Sequence, residues 1–159
     1  MCGIAGVARG SGRPVTVEAL GRMAAAIRHR GPDGYGFLVD SCVGLAHTRL
    51  SIIDLSHGHQ PLSNEDGRLW VTYNGEIYNY RELRVDLEGR GHLFRTASDT
   101  EVIVHAWEEW GPAMLERFNG QFAFALYDRI EQSVFLARDR FGVRPLFYAQ
   151  RGADFFFAS

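Results

Sequence analysis

The stretch Phe122-Ala-Phe-Ala-Leu-Tyr127 is apolar at both alternating positions. Successive side chains of a strand point to opposite faces, so a strand apolar at both parities is one covered on both faces. A sheet sandwiched between layers is the implication, and segments of both helical and strand period flank this run. Residues 2–8 read as a strand that carries the chain start into the fold. Thr16 is a candidate N-cap for a helix reaching about Ile27, with Leu20, Met23, Ala24 and Ile27 on one face. Short strands are expected over 35–39, 42–47 and 49–53, and Asn64-Glu-Asp-Gly67 is turn chemistry ahead of a strand over 69–74. Two helices follow, and both Asn79 with Glu82 and Ser98 with Glu101 have capping-box spacing. Leu83 and Leu87 give the first an apolar side; Val102, Ile103, Ala106, Trp107 and Trp110 do so for the second, which Gly111-Pro112 ends. Strands over 121–128, 133–137, 146–149 and 155–158 complete the series. The last reaches Ser159 with no turn or cap after it, so a longer parent chain is expected.

A length of 159 residues with 46% apolar and 23% charged residues suits one globular domain, taken as residues 1–159. No apolar run is long enough to span a bilayer as a helix, and Met1-Cys-Gly-Ile lacks the basic start of a secretory signal. A cytoplasmic location is the expectation. A net charge of -2 without a long basic run offers no footprint for nucleic acid or an anionic membrane. Cys2 and Cys42 make neither a disulfide framework nor a metal pattern, and Cys42 reads as a buried small hydrophobe. His57-Gly-His59 is the one close histidine pair; without further ligands nearby, no metal centre is expected there. All seventeen basic residues are arginine. Lysine Schiff-base chemistry, a lysine base and the lysine of a phosphate-binding loop are thereby excluded, and the only aliphatic amine is the N-terminus.

Position 2 becomes the terminus once Met1 is removed, which a small residue such as cysteine permits. An N-terminal cysteine carries a nucleophile and a basic amine on one residue. Gly3 and Gly6 then read as space for a substrate to approach the backbone.

Met1-Cys-Gly-Ile-Ala-Gly6 is joined, in order, by Arg28-His-Arg-Gly-Pro-Asp-Gly34, Ala46-His-Thr-Arg-Leu-Ser-Ile-Ile-Asp54 and Asn74-Gly-Glu-Ile-Tyr-Asn-Tyr80. Ser98-Asp-Thr-Glu101, Gly120-Gln-Phe-Ala-Phe-Ala-Leu-Tyr-Asp128 and Arg138-Asp-Arg-Phe-Gly-Val-Arg-Pro-Leu146 follow. This ordered set spans the chain and resembles the class II glutamine amidotransferases, in particular the asparagine synthetase branch. The resemblance implies an α+β fold, the four-layer αββα sandwich of N-terminal-nucleophile hydrolases. It implies Cys2 as nucleophile, with Asn74 and the Gly75 N–H as the oxyanion hole. Substrate contacts are implied for Arg49, Leu50, Ile52, Asn74, Gly75, Glu76 and Asp99. Arg49 suits the α-carboxylate of glutamine as a planar fork of donors, and Asp99 suits its α-ammonium.

Each of these residues also has a plain structural reading. Arg49 serves equally as a strand-surface arginine, Asp99 as a helix-capping residue beside Ser98, Asn74-Gly75 as a turn and Glu76 as a loop support. Arg28 to Gly34 and Arg138 to Leu146 are read as scaffold that shapes the site or a partner-facing surface. Phe122, Phe124, Phe141, Phe147 and Phe155 are read as core.

The implied reaction is hydrolysis of the glutamine side-chain amide through a γ-glutamyl thioester on Cys2, with the α-amine moving protons. No cofactor and no metal is called for in this domain. In the family the ammonia passes to a C-terminal synthetase domain that uses ATP and Mg; no pyrophosphate loop of the Ser-Gly-Gly-x-Asp-Ser type occurs here. L-glutamine and that domain are the implied partners, with a homodimer as a further candidate and neither nucleic acid nor membrane expected. Two rivals are a regulatory module that binds glutamine without turnover and a hydrolase of another amide. Thioether formation on Cys2 by an electrophilic glutamine analogue separates the first, and a substrate panel the second.

Overall fold

In a computed structural model of the chain, which describes residues 1–50 and 59–159, the Phe122 to Tyr127 run forms the inner part of a strand, β6 (Gly120–Asp128). Before it come β1 (Gly3–Arg9), α1 (Val17–Ala26), β2 (Gly34–Asp40), β3 (Val43–Arg49), β4 (Leu62–Ser63), β5 (Leu69–Ile77), α2 (Tyr80–Gly89) and α3 (Asp99–Trp110). After it come β7 (Ser133–Arg138), β8 (Phe147–Arg151) and β9 (Asp154–Ala158). The strands form two antiparallel sheets, ordered β2-β3-β1-β9-β8 and β4-β5-β6-β7.

The double apolarity of β6 has a direct explanation. Phe122, Phe124 and Leu126 face α2 and α3, where they pack with Val71, Tyr73, Leu87 and Ile103. Ala125 and Tyr127 face the other sheet, where they pack with Val43, Leu45 and Phe157. Full burial of a side chain the size of Phe124 or Leu126 contributes about 1.5–3 kcal/mol. On the far side, Leu20 and Ala24 of α1 cover Ala5, Val7 and Ala46. The order is therefore helix, sheet, sheet, helices: the four-layer αββα sandwich.

Thr16 caps α1, its side chain accepting from Ala19 N. The turn at 64–67 forms as its sequence predicts: Asn64 Oδ1 accepts from Leu69 N, and Gly67 takes a positive φ of 72°. β3 runs unbroken to Arg49, so the expected separate strand over 49–53 does not begin there; the rest of that segment lies outside the described residues.

Several expectations are corrected. Neither capping box closes. Asn79 spends its side chain on the Arg117 carbonyl and the Asn119 N–H, pinning α2 to the segment before β6. Ser98 does cap α3 through Thr100 N, but Glu101 turns away to Arg95 N and to Thr96 N and Oγ1. Gly3 and Gly6 serve strand packing instead of substrate entry: a Cβ on Gly3 would lie 2.5 Å from Thr48 Oγ1, and one on Gly6 would lie 2.2 Å from the Phe157 ring. Cys42 is only half-buried at the start of β3. Phe141 and Phe147 are not core, being 92% and 68% exposed: Phe141 lies in the turn after β7, and Phe147 opens β8, an edge strand with every residue exposed.

Candidate active site

β1 is central in its sheet, so the residue just before it starts between the layers. Ile4 lies opposite His47. By strand alternation Cys2 and Ile4 of the first strand, and Val43, Leu45, His47 and Arg49 of β3, share the face that looks at the second sheet. Asn74 lies opposite Ala123 in β6 and faces back toward them. One inter-sheet layer is thus apolar around Leu45 and Tyr127 and becomes polar where Cys2, His47, Arg49 and Asn74 converge. A cavity of about 130 Å³ opens there, lined by these four and by Met1, Leu50, Gln60, Tyr73, Gly75, Glu76, Ser98, Asp99, Thr100 and Arg144.

Cys2, Arg49, Leu50, Asn74, Gly75, Glu76 and Asp99 therefore all reach one cavity, although the sequence separates them by up to 97 positions. Ile52 lies outside the described residues, as does His57. The Cys2 sulfur accepts from Leu50 N at 3.4 Å, and Arg30 Nε donates to the Cys2 carbonyl at 3.3 Å. Arg30, read as scaffold, thus holds the backbone of the candidate nucleophile.

Asn74 and Gly75 are strand residues within β5 and not a turn. A Cβ on Gly75 would meet the Gln121 carbonyl at 2.4 Å, so the close approach of β5 to β6 requires glycine. Asn74 is buried, and its Nδ2 has no partner among the described residues. A buried amide donor without an acceptor is costly, about 1–3 kcal/mol, and the cavity is where a ligand oxygen would satisfy it.

Asp99 is the first residue of α3 and not its cap; Oδ2 accepts from Tyr73 OH at 2.7 Å and from Ile77 N at 3.0 Å. Burial raises its carboxyl above the usual range, with the Glu76 charge adding to the shift, while the Tyr73 and Ile77 bonds oppose it. Burial first, and then the Asp99 charge and hydrogen bond, push the Tyr73 phenol well up. A desolvated carboxylate of this kind is best matched by a cation brought by a ligand. Arg49 lines the same cavity and is buried, 8% exposed, which rules out a surface arginine.

The sequence did not single out His47, Gln60 or Arg144. His47 is 1% exposed with Nε2 unpartnered, and burial, aided by the Arg49 charge, lowers its pKa to about 4, so the imidazole is neutral near pH 7. Gln60 bridges the layers, accepting from Tyr73 N at 2.6 Å and donating to Thr100 Oγ1 at 3.3 Å. Arg144 is delivered by a loop wound around Asp139, whose carboxylate accepts from the N–H groups of Phe122, Phe141, Val143 and Arg144. Those bonds hold Asp139 below the usual carboxylate range although burial opposes them. Arg144 NH1 contacts the Met1 sulfur. The repeated arginines in Arg138 to Leu146 were a visible signal, but only the loop's path separates Arg138, which bonds the carbonyls of Gly142 and Arg144, from Arg144, which reaches the cavity.

Among the described residues no helix is long and apolar enough to cross a membrane. The chain is 48% identical along its whole length to "Asparagine synthetase [glutamine-hydrolyzing] 2" of Bacillus subtilis, covering 21% of that protein. It is 41% identical along its whole length to "Putative asparagine synthetase [glutamine-hydrolyzing] 1" of Methanocaldococcus jannaschii, covering 32% of it. It thus spans a fifth to a third of these relatives. A solved structure of glutamine phosphoribosylpyrophosphate amidotransferase from B. subtilis superposes with a TM-score of 0.80 over 99% of this chain and 41% of that one; at 23% identity the likeness is one of fold. The family model described as "Glutamine amidotransferase domain" matches residues 1–159 throughout, and the chain belongs to that family.

Proposed function

We propose that this chain hydrolyses the side-chain amide of glutamine, with Cys2 as nucleophile after removal of Met1. The observation that carries the reading is the placement of the Cys2 thiol and the unpartnered Asn74 Nδ2 in one cavity with Gly75, Arg49 and Asp99. The α-amine of Cys2 takes the thiol proton as sulfur bonds to the amide carbon. Asn74 Nδ2 and Gly75 N–H hold the oxyanion; the C–N bond then breaks and ammonia leaves with a proton returned by the amine. Water, deprotonated by the same amine, attacks the γ-glutamyl thioester, releasing glutamate and restoring the thiol. Arg49 binds the α-carboxylate, Asp99 the α-ammonium, and Glu76, Leu50 and Ile52 complete the substrate contacts. Met1 lines the cavity and its sulfur touches Arg144, so its removal frees the amine and clears the site together.

The ammonia serves an ATP- and Mg-dependent asparagine synthetase-type amidation in the larger part of the protein, in the cytoplasm. A surface for that part is suggested by the exposed aromatics Phe141, Phe147 and Tyr148 on and beside the edge strand β8. The test joins intact mass spectrometry of the N-terminus with an assay of ammonia from glutamine and labelling by an electrophilic glutamine analogue. A Cys-terminal chain that releases ammonia and is labelled on Cys2 supports the reading; a Cys-terminal chain that binds glutamine without turnover overturns it.

A further inference from the structure

Away from the cavity, two imidazoles and four carboxylates gather where the 64–67 turn, the segment after α2 and the middle of α3 meet. His105 Nδ1 lies 3.0 Å from Glu108 Oε2 and 3.7 Å from Glu65 Oε2, and His92 Nδ1 lies 3.5 Å from the same Glu108 oxygen. One ligand atom from each of His92, His105 and Glu108 falls within 4.8 Å of the others. Nitrogen and oxygen ligands at about 2.0–2.1 Å from a tetrahedral zinc lie about 3.3–3.4 Å apart, which the two distances to Glu108, 3.0 and 3.5 Å, bracket. None of the four residues lines the catalytic cavity.

The surroundings are those of a ligand set held from behind. Metal-bound histidines characteristically offer their other nitrogen to a carboxylate. His92 Nε2 faces Glu109 Oε2 at 3.4 Å, whereas His105 Nε2 lies 3.7 Å from Glu101 Oε1, near that carboxylate but without a hydrogen bond among the described residues. Glu108 Oε1 accepts from Asn64 Nδ2 at 2.7 Å, and Glu101 is itself fixed by Arg95 N and Thr96 N. Charge is compatible with this: with both rings neutral, as metal ligation requires, the four glutamates outnumber Arg90 and Arg95, which bond Glu109 and the Glu65 carbonyl. His105 is fully buried while Glu108 and Glu65 are part-exposed, leaving an approach from the surface.

We propose that His92, His105 and Glu108 form a binding site for a divalent cation of the zinc class, which ties α3, and so Asp99 at its start, to the segment after α2. A His₂Glu donor set, with water in the fourth position, suits Zn(II) and, as a spectroscopic substitute, Co(II).

The experiment uses the full chain with Cys2 and Cys42 alkylated, so that thiolates do not compete. Zn(II) is titrated against a chromophoric chelator, Co(II) spectra are recorded, and thermal unfolding is followed with and without Zn(II). One equivalent of zinc per chain is expected, with intense tetrahedral Co(II) bands lacking thiolate charge transfer and a raised Tm. His92→Gln and Glu108→Gln should each weaken binding by at least about tenfold and remove the Tm shift. Two variants are used so that one which fails to fold leaves the other to decide. Absence of stoichiometric uptake, or uptake unchanged in a folded variant, overturns the site.

Discussion

Leu50 donates its backbone N–H to the Cys2 sulfur at 3.4 Å, and the thiol reaches back to the Leu50 carbonyl at 3.6 Å. Among the described residues, the sulfur's hydrogen bonds are to main chain. Cys2→Ala removes one atom from this seat and should leave the fold intact. Ammonia release from glutamine should fall by about 10³-fold or more, as when other enzymes lose their nucleophile. Unchanged thermal unfolding with abolished turnover is the expected pair of results; retained turnover would mean that another group is the nucleophile.

Asp99→Asn keeps an oxygen to accept from Tyr73 OH and Ile77 N, so it deletes the charge while preserving the contacts. Loss of one charged partner of a desolvated pair costs about 2–5 kcal/mol. Glutamine KM should rise accordingly, with a smaller effect on kcat, and Arg49→Ala should act in the same direction. Steady-state kinetics across a wide glutamine range decides; a normal KM in either variant would remove the clamp assignment.

Retention of Met1 converts the nitrogen of Cys2 into a non-basic amide and keeps the Met1 side chain in the cavity. Positioned acid–base catalysis is worth roughly 100- to 10,000-fold. A chain kept tagged or Met-terminal should lose at least that much ammonia release while still folding. Equal rates for Met-terminal and Cys-terminal chains would show that the α-amine is not the base.

His47 carries a stability signature. Its folded pKa of about 4 lies below the unfolded value, so between the two the unfolded chain binds more protons. The stabilising difference is fully present above about pH 6.5 and is lost as pH falls toward 4, amounting to about 3 kcal/mol. His47→Gln should flatten this dependence relative to the parent, because the carboxylates titrate alike in both. Denaturant unfolding at near-neutral and acid pH measures it; parallel losses in the two chains would show that His47 is not the group responsible.

Much of the fold was legible because periodicity is local. The double apolarity of Phe122 to Tyr127, the Leu20 and Ala24 stripe of α1 and the turn at Asn64 each depend on near neighbours, and each appears as its sequence implies. The ordered motifs likewise singled out Cys2, Arg49, Asn74 and Asp99, which share the cavity. What the sequence left open are choices among partners distant in the chain. Glu101 fits a capping box by spacing, yet it bonds Arg95 and Thr96 because the chain before α3 turns back over it. Phe147 is as apolar as Phe157, and only sheet order makes one an exposed edge residue and the other core. Arg144 reaches the cavity because Asp139 gathers four N–H groups and winds the loop toward Met1. Local periodicity and the ordered motifs thus carried the layered architecture and pointed to Cys2; which distant polar groups meet between the layers was decided by tertiary packing, since burial favours those that find a partner wherever the chain brings one.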